Sequence, residues 1–155
     1  MSSEWGTTIL CPITVHLADG SVFEGAVHLF DRAPGRLGAE SILDFLNRDE
    51  RFFALQDREG GVQFVGKDQV MHVIVSSADF PDATPPGGVP HANIDVEVMP
   101  PGEETLHGVI HVDTPPGRTR AIDFLNSSHG FLVLTTPHEV RLVNRRLIRL
   151  VRPKE

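Results

Sequence analysis

A single cysteine, a single tryptophan and no tyrosine mark the poor end of this composition. With only Cys11, the chain can form no intrachain disulfide and no cysteine-rich zinc site. The lack of tyrosine leaves any base-stacking platform poorly supplied. No apolar run approaches the roughly 20 residues that span a bilayer. Met1-Ser2-Ser3-Glu4-Trp5 lacks the basic start and apolar core of a signal peptide. The expectation is a cytoplasmic protein with no membrane partner. Lysine is scarce too: two lysines stand against twelve arginines, a bias that fits a GC-rich bacterial genome. Catalytic signatures are also missing. There is no Gly-x-Ser-x-Gly, no Gly-x-Gly-x-x-Gly and no phosphate loop, so the chain reads as a non-enzyme with no cofactor.

What the sequence does have is an internal duplication. Asp44-Phe45-Leu46-Asn47 returns as Asp123-Phe124-Leu125-Asn126. Upstream, Pro34-Gly35-Arg36 matches Pro116-Gly117-Arg118, and Gly25 to Leu29 matches Gly108 to Val112. Downstream, Phe52 to Leu55 matches Phe131 to Leu134, and Phe64-Val65 matches Leu142-Val143. A self-similarity with constant landmark order implies repeated structural units. We place the first repeat at 9–75, a linker rich in proline and glycine at 76–92, and the second repeat at 93–153. A unit of this size has a marginal core when alone. The two are therefore expected to bury surface against each other as an intramolecular pseudo-dimer with pseudo-twofold symmetry, leaving further oligomerisation open.

Alternation sets the elements. Ile13 to Leu17 runs into Asp19-Gly20, and Ser21 to Phe30 resumes the alternation, which is a hairpin signal. Ile94 to Val98, a turn at Pro100-Pro101-Gly102 and the run through Val112 repeat it. Gly25 and Gly108 lie inside strands, where glycine marks a bend or a close approach by other atoms. Ile42, Phe45 and Leu46 form an apolar stripe at helical spacing, as do Ala121, Phe124 and Leu125 with Thr119 as N-cap. Three strands follow each helix: Arg51–Gln56, Gly61–Val65 and Gln69–Val75, then Phe131–Thr135, Val140–Val143 and Leu147–Val151. Each unit thus reads β-β-α-β-β-β and is mainly β. Strands this few and short close most readily as a small bent barrel.

The pattern Val15-x-Leu17-x-Asp19-Gly20-x-x-x-x-Gly25-x-Val27, with Phe30-Asp31 after it and Val65-Gly66-Lys67-Asp68-Gln69-Val70 before the last strand, resembles the Sm-like family of small RNA-associated barrels. The resemblance implies two tandem small barrels of the Sm-like or SH3-like kind. It also implies an RNA site lined by Asp44, Asn47, Gly66 and Lys67 and their counterparts Asp123, Asn126, Asn144 and Arg145. The chain departs from the family in a helix-bearing insert at 32–47, in the reversed order of Gly66-Lys67, and in the tandem fusion.

Three groups of residues are candidate sites. Asp44, Asn47, Asp123 and Asn126 form the most faithful repeat. They read either as a ligand or partner pair or as helix-end chemistry, with asparagine in the left-handed conformation and Asp44 and Asp123 paired to Arg36 and Arg118. Arg141, Arg145 and Arg149, with Arg146, Arg152 and Lys154, make a basic tail that suits phosphates or the acidic first half. Residues 1–80 hold 6 basic and 12 acidic side chains, net −6, whereas residues 81–155 hold 8 and 9, net −1. Such an acidic whole argues against nonspecific nucleic-acid binding. His28, His107 and His111 share strand positions from which a metal or small ligand could be held, though no fourth ligand is implied and no metal is assigned. The leading expectation is a noncatalytic interaction or scaffold module with a protein partner. Sm-like RNA binding is the alternative, and a histidine-centred metal or small-ligand sensor is the weaker one.

Overall fold

The alternating runs form strands that join into one sheet. A computed structural model describes residues 8–30, 40–77, 91–102, 104–113, 121–126 and 130–154. In the first repeat, β1 (Thr8–Leu17) and β2 (Val22–Phe30) are followed by α1 (Ile42–Leu46), β3 (Phe52–Gln56), β4 (Val62–Gly66), a 3-10 turn at Lys67–Gln69 and β5 (Val70–Ser76). In the second, β6 (His91–Met99), β7 (Leu106–Asp113), α2 (Ala121–Asn126), β8 (Phe131–Thr135), β9 (Glu139–Asn144), a 3-10 turn at Arg145–Leu147 and β10 (Leu150–Pro153) follow in the same order. The fold is mainly β, and the described residues form a ten-stranded antiparallel sheet with two short helices.

The β1–β2 hairpin turns at Asp19-Gly20, as expected: Gly20 has φ +94, and the Asp19 carboxylate accepts the Ser21 N–H at 2.8 Å. β1 begins five residues earlier than the alternation suggests, because Thr8 to Cys11 continue the ladder opposite Val27 to Phe30. β10 begins later than predicted, because Arg145–Leu147 coil into the 3-10 turn. The linker placed at 76–92 lies mostly outside the described residues, and His91 and Ala92 already belong to β6.

Strand order is β10-β6-β7-β8-β9-β5-β1-β2-β3-β4. Each repeat therefore has its fifth strand beside its first, then its second, third and fourth. The ladder is thinnest at equivalent places. β2 and β3 pair only at Ala26 with Gln56, and β7 and β8 only at Val109 with Thr135. Gly25 and Gly108 stand next to these points. A Cβ on Gly25 would lie 2.6 Å from the Gln56 carbonyl, and one on Gly108 would lie 2.8 Å from that of Thr135. The strand glycines thus mark close backbone approach, as their sequence positions predict.

Two apolar cores result. The first gathers Val15, Val27, Ile42, Phe45, Leu46, Leu55 and Val73, the second Val96, Val98, Ile110, Leu132, Leu134 and Val143. The first core also takes Phe131, Val140 and Leu142 from the second repeat.

Candidate functional site

The repeats meet where β5 pairs with β9: Val73 is opposite Leu142, Ile74 opposite Arg141 and Val75 opposite Val140. A fifth strand thus contacts a fourth strand, which is a head-to-tail relation. The expected pseudo-twofold symmetry is not what the pairing has; a twofold contact would place like strands side by side.

Side-chain alternation explains what this junction buries. In the β8–β9 ribbon, Leu132, Leu134 and Val143 point into the second core. Phe131, Val140 and Leu142 lie on the other face and fill the first core, packing with α1 residues of the first repeat. The equivalent ribbon of the first repeat, β3–β4, sends Phe53, Leu55 and Val65 into its own core in the same way. Its other face has no cover among the described residues. Phe52, Val62 and Phe64, the counterparts of Phe131, Val140 and Leu142, are 59%, 54% and 76% exposed. At the opposite end, Ile122 on α2 and Leu150 on β10 are exposed. Phe124 and Leu125 are only partly buried against the second core, whereas their counterparts Phe45 and Leu46 are fully buried.

Polar groups fasten the junction. Asn47 accepts the Phe131 N–H through its Oδ1 at 2.8 Å. Gly130 makes room for that side chain: it holds φ +94, and a Cβ there would strike the Asn47 amide. Asn144 donates through Nδ2 to the carbonyls of Lys67 at 3.2 Å and Val70 at 3.0 Å. Arg146 reaches Asp68 across the junction at 3.5 Å.

The predicted site residues divide accordingly. Asn47, Lys67, Asn144 and Arg146 come together around a cleft of about 370 Å³ that Gly130, Arg48, Arg51, Asp49, Glu50 and Asp68 also line. Asn47 does close α1, but with φ −92 and not the left-handed conformation, because its side chain is committed to β8. Asp44 sits in the first turn of α1 and gives its N–H to Ser41 Oγ, the N-cap that the sequence reading did not single out. Arg36, Arg118 and Thr119 lie outside the described residues. Asp123 and Asn126 belong to α2 and do not line that cleft. Gly66 ends β4 before the turn.

Lys67 gives its ammonium to the Arg48 carbonyl at 2.8 Å, and burial holds it below the usual lysine value. Arg145 does the corresponding work in the second repeat. It donates to the carbonyls of Phe124 and Leu125 at 2.7 and 3.1 Å and stacks over the Phe124 ring. Burial lowers its pKa as well. Arg149 bonds the carbonyls of Pro100 and Gly102, Arg152 bonds Glu97, and Arg141 lies between Glu104 and Glu139. Most cations of the tail thus serve carbonyls and carboxylates of the second repeat, and Arg146 reaches Asp68 of the first.

His28 spends both ring nitrogens, on Thr8 and Gln56. His111 meets Asn93 at 2.6 Å, and His107 lies beside Lys154 and Glu97. Among the described residues, the grouping with metal-holding geometry is a different one: His16, His72 and Glu104. The clue available in sequence was His72, which interrupts the otherwise apolar run Val70 to Val75; in the register of the sheet, Met99 and Leu150 stand where His16 and His72 stand.

No family model matches the chain, and neither a curated protein nor a solved structure shows significant similarity to it.

Proposed function

We propose that the chain is a noncatalytic assembly module, built from two small bent barrels of Sm-like kind, whose partner is a second copy of itself. The observation that carries this reading is the bare face of β3–β4. Phe52, Val62 and Phe64 present the pattern that Phe131, Val140 and Leu142 use to complete the first core. The second core has no such filling from the described residues, and Ile122 and Leu150 are exposed beside it. One end of the chain thus carries a plug and the other a matching socket, with β4 and β10 as the open edges of the sheet. Contiguous exposed apolar surface of this kind marks an interaction site. A heterologous contact of plug with socket repeats until it closes as a ring or runs on as a filament.

The contact between copies is weaker than the internal one. Lys154 gives its N–H to the Asp95 carbonyl, so alternation turns the nitrogen of Pro153 to the open edge, where it supplies no ladder bond. Arg51 and Gly66 stand where the internal junction has Gly130 and Asn144, so neither of those fastenings is reproduced.

The test is absolute mass by light scattering over a range of concentrations. The wild-type chain is expected to give multiples of 17.0 kDa that grow with concentration. Phe64→Asp removes the plug and Ile122→Asp the socket, both at exposed positions. Each variant alone should stay single, and a mixture of the two should stop at a dimer through the intact plug and intact socket. A wild-type chain that remains single at every concentration overturns the proposal.

The Sm-like RNA-binding reading has one observation of its own, the junction cleft that brings Asn47, Lys67 and Asn144 together. Arg48, Arg51, Lys67 and Arg146 line the same cleft with Asp49, Glu50 and Asp68, and ion pairs of Arg48 with Glu50 and of Arg51 and Arg146 with Asp68 spend part of the positive charge a phosphate backbone would need. A raised ratio of absorbance at 260 to 280 nm after purification, lost in high salt, would favour it.

A further inference from the structure

His16 on β1 and His72 on β5 face each other in register, their rings stacked with centroids 4.3 Å apart and planes 22° from parallel. His72 is fully buried, and neither of its ring nitrogens has a hydrogen-bond partner. A neutral imidazole carries one donor and one acceptor, and burying both without partners is costly. The interior leaves a polar ring with its bonding capacity unspent, which is the state of a ligand side chain before its ion arrives.

The third group comes from the other repeat. Glu104, in the connection between β6 and β7, brings a carboxylate oxygen to the two rings, so that one ligand atom from each residue lies within 4.8 Å of the others. Ligands about 2 Å from a tetrahedral ion sit roughly 3.3 Å from one another. Closure requires the Glu104 side chain, which is about half exposed, to rotate and the two stacked rings to tilt towards one point. Arg141 stands beside Glu104 at 3.7 Å and Glu139 at 3.5 Å. Two carboxylates thus share one guanidinium, and the cluster keeps negative charge for a cation.

The duplication provides an internal control. At the same place in the second repeat, the register pair is Met99 with Leu150, and Leu150 is exposed, so that position carries apolar residues where no junction strand covers it. The histidine pair therefore answers a requirement particular to the junction.

We propose that His16, His72 and Glu104 form a binding site for one divalent ion of the zinc type, joining the two repeats. Two imidazole nitrogens and one carboxylate oxygen suit zinc and its neighbours cobalt, nickel and copper, and not calcium or magnesium, which take oxygen ligands. Three protein ligands leave a fourth position for water.

The experiment uses the full chain stripped with chelator, then titrated with zinc by calorimetry and with cobalt by visible absorption. The expected result is one ion per chain, a tetrahedral cobalt spectrum, and a Tm that rises with zinc concentration. Glu104→Gln should weaken zinc at least tenfold. Because removing His72 alone risks the fold, the second variant is H16M/H72L, which installs the pair the second repeat uses; it should fold and bind no ion at this site. Failure of the wild-type chain to bind zinc or cobalt overturns the proposal. Equal binding by H16M/H72L overturns it too, since the ion would then sit elsewhere. Neither outcome depends on whether copies of the chain associate.

Discussion

Asn47 and Phe131 are 84 residues apart, yet the Asn47 side chain accepts the Phe131 N–H at 2.8 Å and joins the end of α1 to the start of β8. Asn47→Ala leaves that part-buried N–H without its acceptor and is expected to cost about 1–2 kcal/mol of stability. Asn126→Ala, at the same motif position but exposed at the end of α2, should change stability by less than about 0.5 kcal/mol. Urea denaturation of the two variants, at a concentration where the chain is single, makes the comparison. Equal losses would mean the motif serves each helix locally and not the junction.

Leu142 and Phe64 occupy equivalent strand positions, and only Leu142 is covered. Leu142→Ala opens a cavity in the first core and should cost about 2–5 kcal/mol. Phe64→Ala should cost less than about 0.5 kcal/mol in the single chain while reducing self-association. Thermal melts report the first effect and sedimentation the second. A large stability loss for Phe64→Ala would show that its ring is packed within its own repeat, and the plug would lose its basis.

The element order and the inward faces were legible in sequence because alternation and paired motifs depend on local spacing alone. Gly25 and Gly108 could be read as close-approach points for the same reason, since a glycine inside a strand has few other uses. The head-to-tail junction was not legible. Whether Phe131, Val140 and Leu142 enter their own core or a neighbour's depends on which strand edge meets which, and two repeats with similar edges leave that choice to long-range packing. The cap at Ser41 escaped notice because its helix is a single short turn. The cluster of His16, His72 and Glu104 escaped for a different reason: its members are scattered in sequence and meet only once β1, β5 and the β6–β7 connection are in place.

The two strand glycines give matched predictions. In Gly25→Ala the new methyl meets the Gln56 carbonyl at 2.6 Å and Leu55 Cγ at 2.9 Å. In Gly108→Ala it meets Leu134 Cγ at 2.7 Å and the Thr135 carbonyl at 2.8 Å. Backbone oxygens cannot swing aside, so each substitution should cost about 1–3 kcal/mol through local overpacking. Denaturant midpoints should fall by similar amounts in the two variants, and the double variant should be additive, since the sites lie in separate cores. A neutral result at either glycine would mean the ribbons can part there without penalty.

Stability of the metal-free protein should fall in mild acid, and His72 gives the sign. Its folded pKa is pushed down to about 3 by burial first, then by His16 and Arg141, against 6.5 for an unperturbed histidine. Above pH 6.5 the ring is neutral in both states and its contribution is whole. As pH falls, the unfolded chain takes up the proton and the folded chain does not, so stability is lost progressively between about 6.5 and 3. The slope approaches about 1.4 kcal/mol per pH unit for one such group. His16 adds to the loss, because burial lowers its pKa as well, although Glu104 and Glu139 oppose that shift and Arg141 reinforces it. Urea midpoints measured with chelator from pH 7.5 to 4.5 should therefore drop more steeply in the wild-type chain than in H16M/H72L, in which carboxylate titration remains and the histidine pair is gone. Parallel curves would mean that His72 finds a partner or solvent when protonated, and that its burial is not enforced by the packing of β1, β5 and β9.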